Sequence, residues 1–255
     1  MNPREYEIMA QVEAEHWWYQ SLRNRIGNSI DGYRSQLPNQ PRILDVGCGT
    51  GENLRYLAEK LNPSYLGGFD VSEQAVAYSS QKCPTADVYL GDLRNVALHH
   101  DTYDIVISCD VLYIPGIAAS LDGLRSIVDR MSPSGIFIVN LPAYNWLRSD
   151  HDLAIQTKER YVASEVRRLM EDLGLQTRQL TYRLCLLFPL VVASRLPSML
   201  WRNKDPANAT SALHQPSKVS NVVLGSVMKL ENRLISSGFS LPWGSSVFAI
   251  GQKRQ

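Results

Sequence analysis

The sequence predicts an α/β protein built on a doubly wound, mostly parallel sheet, and three observations carry that expectation. An apolar run, Arg42-Ile-Leu-Asp-Val46, passes straight into the turn Gly47-Cys-Gly-Thr-Gly51 and from there into a helical pattern. A second run, Tyr65-Leu-Gly-Gly-Phe-Asp70, ends in an acid about 20 residues beyond that turn. Strand-like and helix-like apolar patterns then alternate as far as Pro142, the order that places helices on both faces of a parallel sheet.

Ile43, Leu44 and Val46 read as a strand buried on both faces, and the glycines after it let the backbone turn sharply and approach a ligand closely. Such a strand-to-helix turn cradles a nucleotide-type cofactor. A dinucleotide fingerprint would set its third glycine at position 52, where Glu52 stands, so NAD and FAD are disfavoured. The helix that follows carries Leu54, Leu57, Ala58 and Leu61 on one face. Asp70 closes the second strand, where one carboxylate can accept hydrogen bonds from both hydroxyls of a ribose. Residues 87–93 read as a short third strand ending in Gly91-Asp92-Leu93. Residues 103–110 read as a buried fourth strand whose carboxyl end, with Cys109 and Asp110, lies beside the first at the switch point where open α/β sheets bind ligands.

A helix over 117–131 and a fifth strand over 135–142 follow. Val166, Leu169, Met170 and Leu173 mark a helix over 165–173, with Ser164 as its expected N-cap and Gly174 as its stop. Residues 176–187 read as a sixth strand and 245–253 as a last one.

The run D-x-G-x-G-x-G from Asp45 to Gly51, followed in order by Asp70 and Asp92, resembles the class I S-adenosylmethionine-dependent methyltransferases of the type 11/12-like kind. The resemblance implies S-adenosyl-L-methionine as cofactor and a seven-stranded sheet ordered 3-2-1-4-5-7-6, with the last strand antiparallel to the fifth. It places Asp45, Gly47, Cys48, Gly49 and Gly51 at the cofactor turn, and Asp70 with Val71 at the ribose. Asp92, with Leu93, falls at the exocyclic amine of adenine, and Cys109 beside the methionine portion. The departure from the family is an insertion over 188–241, expected to form a helical cap. It contains a polar piece over 202–210, then a helix with Val219, Val223, Val227, Leu230 and Leu234 in one stripe. The division expected is an N-terminal helical lid over 1–35, a cofactor-binding core over 36–187, the cap over 188–241 and the last core strand over 242–255. An aromatic N-terminal helix over 4–31 with His16-Trp-Trp-Tyr19 at its middle, the stretch Leu141-Pro-Ala-Tyr144 and the pair His151-Asp152 mark a subgroup.

Methyl transfer from a sulfonium is an in-line displacement, so alignment of the acceptor supplies much of the rate. Tyr19, Tyr113 and Tyr144 are candidates for an aromatic, hydroxyl-bearing wall that tolerates the cationic sulfur. His151, just past the fifth strand, is the candidate general base, with His16 in reserve, while Asn140 and Tyr144 are candidates to orient substrate. The activity expected is methylation of a small-molecule acceptor, on oxygen, within a natural-product, sugar or lipid-linked intermediate. Alternatives are N-methylation or an RNA or protein acceptor and, from other classes, a nicotinamide-dependent oxidoreductase or a non-catalytic cofactor-binding protein. The reductase pair Tyr-x-x-x-Lys does occur, at Tyr56 to Lys60 and Tyr78 to Lys82, but on helices too early in the chain for that chemistry.

Composition narrows the rest. The 255 residues are 44% hydrophobic, enough for one sizeable core with decorations. The 26 basic and 25 acidic residues give a net charge of +1, with no run of five or six like charges and so no sign of a nucleic-acid footprint. Cys48, Cys83, Cys109 and Cys185 lack C-x-x-C spacing, which points away from disulfides and zinc and towards a reducing, cytoplasmic compartment. The charged N-terminus lacks the apolar stretch of a secretory signal, and the greasy run over 184–193 is interrupted by Pro189 and falls well short of the ~20 residues of a membrane span. His99-His100-Asp101 reads as a solvated loop rather than a metal cluster. The apolar insertion, with Trp201, points to an acceptor that is greasy or extended.

Overall fold

In the computed structural model, which describes residues 3–95, 97–114, 116–149, 152–153, 155–200 and 216–254, side-chain alternation decides how the sheet is buried. The elements run α1 (Pro3–Val12), α2 (Trp17–Gly32), β1 (Arg42–Val46), α3 (Glu52–Leu61), β2 (Tyr65–Asp70), α4 (Glu73–Lys82), β3 (Asp87–Leu90) and β4 (Tyr103–Cys109). They continue with α5 (Ile117–Asp129), β5 (Met131–Pro142), α6 (Ala163–Asp172), β6 (Leu175–Arg183), α7 (Phe188–Leu200), α8 (Lys218–Ser236) and β7 (Ser246–Lys253). Successive strand residues point to opposite faces, so Leu44, Val106, Phe137, Val139 and Ala249 enter one apolar cluster. Their neighbours Ile43, Ile105, Ile136, Ile138 and Ile250 enter a second, on the far side.

The strands form one sheet in the order β3-β2-β1-β4-β5-β7-β6. β1 pairs in parallel with β2 and β4, β2 with β3, and β4 with β5. β7 inserts antiparallel between β5 and β6. Seven strands, this order and this one reversed strand are what the family resemblance implied. The reversal of order at β1 and β4 opens the crevice in which such sheets bind ligands.

Several local expectations are corrected. The N-terminal helix is broken into α1 and α2, because the His16 side chain turns back as an N-cap and its Nδ1 accepts the Trp18 amide at 3.1 Å. α6 starts two residues before 165, and Ser164 is not its cap. The side chain of Glu165 instead reaches back to the Val162 amide at 2.8 Å. β3 stops at Leu90, leaving Asp92 and Leu93 in a loop. β6 stops at Arg183 rather than 187, because Leu184 takes a positive φ of 58° and buried Glu231 captures the Leu184 and Leu186 amides at 2.7 and 3.0 Å.

Within the stretch expected to be a cap, α7 and α8 pack on α2 rather than standing apart. Leu184, Leu187 and Met228 are sealed by Trp17, Trp18, Val191, Leu224 and Val227. Asn221 accepts the Trp17 amide at 2.8 Å and donates to the Glu15 carbonyl at 2.8 Å, and Asn232 donates to the Ser21 carbonyl at 2.9 Å. The polar piece over 202–210, Trp201 and His151 lie outside the described residues.

The loop after β5 is pinned by a buried ion pair. Arg160 donates to Asp152 at 2.7 and 3.1 Å and to the Ala143 carbonyl at 2.8 Å, and the Ser149 amide donates to Asp152 at 2.9 Å. The Arg160 guanidinium holds the Asp152 carboxyl below the usual carboxylate range despite its burial. Asp152→Ala leaves that buried guanidinium unpaired, and urea unfolding is expected to register a loss of about 3–5 kcal/mol. A loss near zero would show that the loop does not depend on the pair.

Candidate active site

The site assembles where β1, β2 and β4 end. The turn after β1 holds Gly47, Gly49 and Gly51, all at positive φ. The Gly47 and Cys48 amides donate to the Phe69 carbonyl at 2.8 and 3.0 Å, which binds the turn to β2. Two of its glycines have no substitute. A Cβ on Gly47 would stand 2.4 Å from Val111 Cγ2, and one on Gly51 would stand 2.7 Å from the Ser79 backbone. The position at Gly49 is different, for only Met9 Cε of α1 comes near it, at 3.1 Å. That side of the turn faces α1.

Asp70 organises the turn. Its Oδ2 accepts the Gly49 amide at 3.0 Å, while Oδ1 accepts the Ser72 amide at 3.0 Å and the Tyr6 hydroxyl at 3.3 Å. Burial raises the Asp70 carboxyl above its ordinary range, and the Ser72, Gly49 and Tyr6 donors oppose that rise. Tyr6 was not among the residues singled out in the sequence, since nothing local to α1 marks a tyrosine 64 positions away as a partner of Asp70.

Asp45, 1% exposed, is the most costly group at the site. Its Oδ2 has no hydrogen-bond partner, and burial and then Asp70 push the carboxyl up to about 7, with Asn53 opposing. The folded carboxyl therefore binds its proton more tightly than the unfolded one. Its contribution favours folding fully below about pH 4 and is lost as pH rises through about 7. Asp45→Asn is expected to leave Tm unchanged at acid pH and to raise it at pH above 7, by up to about 4 kcal/mol of stability. A thermal melt of both proteins across pH checks this. Equal shifts at all pH values would contradict it.

Asp110 closes β4 in a left-handed conformation, φ 57°, that aspartate adopts more readily than most residues. Its amide donates to the Asn140 carbonyl at 2.8 Å, and both carboxylate oxygens accept from Asn140 Nδ2 at 3.2 and 3.1 Å. Asn140 sits level with Cys109 in the β4–β5 ladder, so the strand register itself aims it. Behind it lies Arg183, fully buried, which donates to Ser21 Oγ at 2.9 Å and bears electrostatically on Asp110. Desolvation pushes the Asp110 carboxyl up to about 7, against the pull of Asn140, Arg183 and Arg160. Tyr19 and Tyr113 both feel the Asp110 charge, and Tyr113 also feels Tyr19 and Tyr6. Three phenols and one near-neutral carboxyl thus share one end of the sheet.

The other expected residues divide. Cys109 is half-buried, with its thiol pushed well up by burial and then by Asp110 and Asp45. Cys48 is buried and its thiol is raised likewise. Val71 is exposed beside Asp70. Leu93 is buried, and Asp92 forms a fork with the Arg94 guanidinium in an exposed loop, which lowers its carboxyl. Tyr144 stands elsewhere, in an aromatic stack with Tyr182, Trp146 and Phe188 at 5.2, 5.7 and 6.0 Å. His16 is committed to the α2 cap, and burial lowers its imidazole. His99 stacks on Tyr89 at 3.6 Å and pairs with Asp87.

These groups suit a particular kind of ligand. An orphaned buried carboxylate oxygen on Asp45, a second carboxylate on the turn amide and a third at the end of β4 call for hydroxyl donors and positive charge. S-adenosylmethionine has both, in its ribose hydroxyls, its ammonium and its sulfonium.

Comparison with known proteins agrees. Residues 43–135 match the family profile described as Methyltransferase domain. Trans-aconitate 2-methyltransferase of Mycobacterium tuberculosis is 31% identical over 109 residues, 43% of this chain and 40% of that protein. The dTDP-3-amino-3,4,6-trideoxy-alpha-D-glucopyranose N,N-dimethyltransferase of Streptomyces venezuelae is 26% identical over 111 residues, 43% and 46% of the two chains. The chain thus spans under half the length of these relatives. At the level of fold, an S-adenosylmethionine-dependent methyltransferase from Mesorhizobium loti superposes with TM-score 0.56 at 15% identity, covering 89% of this chain and 98% of that one. A TehB-like S-adenosylmethionine-dependent methyltransferase from Corynebacterium glutamicum superposes with TM-score 0.54 at 16% identity, covering 99% and 100%. Through the strand, turn and acids of its core, residues 43–135 match the methyltransferase-domain family, on a fold shared with S-adenosylmethionine-dependent methyltransferases.

Proposed function

We propose that the protein is a methyltransferase that uses S-adenosylmethionine to methylate a hydroxyl group on an uncharged small molecule, such as a sugar, natural-product or lipid-linked intermediate. The observation that carries this reading is the placement of Asp110, half-buried with its carboxyl pushed up to about 7, at the end of β4 beside Tyr19 and Tyr113. Asp45, Gly47, Cys48, Gly49 and Gly51 form the cofactor turn, Asp70 and Val71 take the ribose, and Asp92 and Leu93 take the adenine edge. Cys109 lies against the methionine portion. Bound S-adenosylmethionine supplies an electrophilic methyl group on its sulfonium.

The chain's own groups do the rest. Asn140 fixes the Asp110 carboxylate, which accepts the acceptor's hydroxyl proton as the oxygen lone pair is aligned for attack. Tyr19 and Tyr113 turn phenol oxygens and ring faces to the cationic region. α1, with Met9 and Tyr6 against the turn, excludes water. His151 is a further candidate base, and Tyr144 is a candidate to orient the acceptor.

Charge selects among acceptors. A tricarboxylate such as the one named for the M. tuberculosis relative would meet the Asp110 and Asp45 carboxyls, so it is disfavoured here. An amine is the second reading, because a protonated amino group would pair with Asp110 and the S. venezuelae relative is named for an amino sugar. The test is release of S-adenosylhomocysteine from the purified protein with matched hydroxy- and amino-sugars and trans-aconitate. Turnover of the hydroxy compound supports the proposal, and turnover of the amine alone moves the reaction to nitrogen. Tight cofactor binding without turnover on any of them leaves a binding protein.

A further inference from the structure

We infer that the outer face of α7 and α8 docks the protein on an anionic phospholipid bilayer, with both helices lying in the plane of the lipid headgroups. The inference does not depend on the reaction assigned above. Each helix has two apolar faces where packing needs one. The inward faces are already satisfied, Val191 of α7 and Leu224, Val227 and Met228 of α8 closing on Trp17, Trp18, Leu184 and Leu187. The outward faces stay apolar all the same. On α7, Leu190 is 55% exposed and Leu196 46%, with Pro189, Ala193 and Pro197 exposed between and beside them. On α8, Val219, Val222 and Val223 are 74, 68 and 55% exposed, and Leu230 continues the same stripe two turns on. Valines exposed to that degree, clustered on one helix face, mark an interaction surface rather than scattered surface residues.

Charge identifies the partner. The one charged residue on α7, Arg195, is turned inward, donating to the Leu147 carbonyl at 2.7 Å and lying 3.7 Å from Asp152. On α8 the exposed charges are Lys218, Lys229 and Arg233, all positive. Glu231, the acid of α8, is fully buried on the opposite face, held by the Leu184 and Leu186 amides. Among the described residues of these two helices, the exposed face therefore carries cations and no acid, in a chain whose 26 basic and 25 acidic residues nearly cancel. An apolar stripe edged by Lys and Arg matches acyl chains beneath a negative headgroup layer. A second copy of this face would set the same cations against one another. Depth is limited too, for among the described residues no helix is long and apolar enough to cross a membrane.

The test is flotation of the whole protein with vesicles of phosphatidylcholine alone or with about one-third phosphatidylglycerol. The wild type is expected to float with the anionic vesicles, to bind phosphatidylcholine at least ~10-fold less, and to be released as salt is raised. Leu190→Asp with Val222→Asp is expected to cut vesicle binding at least ~10-fold while Tm and S-adenosylhomocysteine binding stay unchanged. Lys229→Glu with Arg233→Glu, which leaves every apolar contact in place, is expected to remove the preference for anionic lipid. No flotation of the wild type, equal flotation of the variants, or indifference to lipid charge would overturn the assignment. So would a dimer in sedimentation equilibrium that Val222→Asp dissolves without any binding to vesicles.

Discussion

Asp70→Ala is expected to weaken binding of S-adenosylhomocysteine at least ~100-fold, the largest effect on ligand affinity that a single side chain at this site can produce. Two losses combine. The ribose loses an acceptor for its two hydroxyls, each charge-assisted bond contributing about 1.5–3 kcal/mol. The turn loses the carboxylate that holds the Gly49 and Ser72 amides and the Tyr6 hydroxyl, so the cradle itself loosens. Asp70→Asn separates the two contributions. It keeps one oxygen for the Gly49 amide and is expected to fall between wild type and alanine. Calorimetric titration of all three proteins checks the order, and equal affinities would remove Asp70 from the site.

Asp110→Asn is expected to lower kcat by about 10²–10⁴-fold while leaving cofactor affinity within a few-fold of wild type. The amide keeps the shape and removes the base. Because the carboxyl is pushed up to about 7, the wild-type rate should climb as pH rises through neutrality and then level off. The variant should lose that limb. Its stability should move the other way, since removing a desolvated carboxylate relieves a cost that the folded protein carries at alkaline pH. A variant that is less active and also less stable at pH 8 would point to a structural role instead. If the pH limb survives in the variant, the proton goes elsewhere, and His151 becomes the first residue to replace.

Much of this site could be read from the sequence because its parts lie within short spans. The glycine turn is contiguous, Asp70 ends an apolar run, and the period of the apolar residues distinguishes strand from helix, so the turn and its flanking strands follow from local pattern, whereas the order of the sheet followed from the family resemblance. What escaped detection depends on pairs far apart in the chain. Asp110 read only as a residue lining the pocket. Its raised carboxyl comes from burial, held in check by Asn140, 30 residues away, and by Arg183, which the fold buries behind it. Tyr6 reaches Asp70 only once α1 has folded over the turn, and the kink that allows this rests on His16, whose aromatic neighbours suggested one continuous helix. The early end of β6 likewise rests on Glu231, in a helix some 45 positions on. Amphipathic pattern revealed the stripe on α8 but not its direction. Val227 turns in towards Trp17 and Trp18, whereas Val219, Val223 and Leu230 turn out.

The N-terminal helices are tied to this geometry by charge. Glu13, at the end of α1, is buried and accepts from Lys82 of α4 and from Thr50 of the turn, while Glu52 draws in Arg55 at 2.5 Å and Arg23 at 3.9 Å. A charge cluster from four helices therefore fastens the end of α1 beside the cradle.

The adenosyl-binding cradle is tested most directly by calorimetric titration of S-adenosylhomocysteine into the wild-type protein and into Asp70→Ala. The account predicts one saturable site per chain in the wild type and a titration too weak to fit in the variant. Absence of heat in the wild type, or the same isotherm from both proteins, would contradict it.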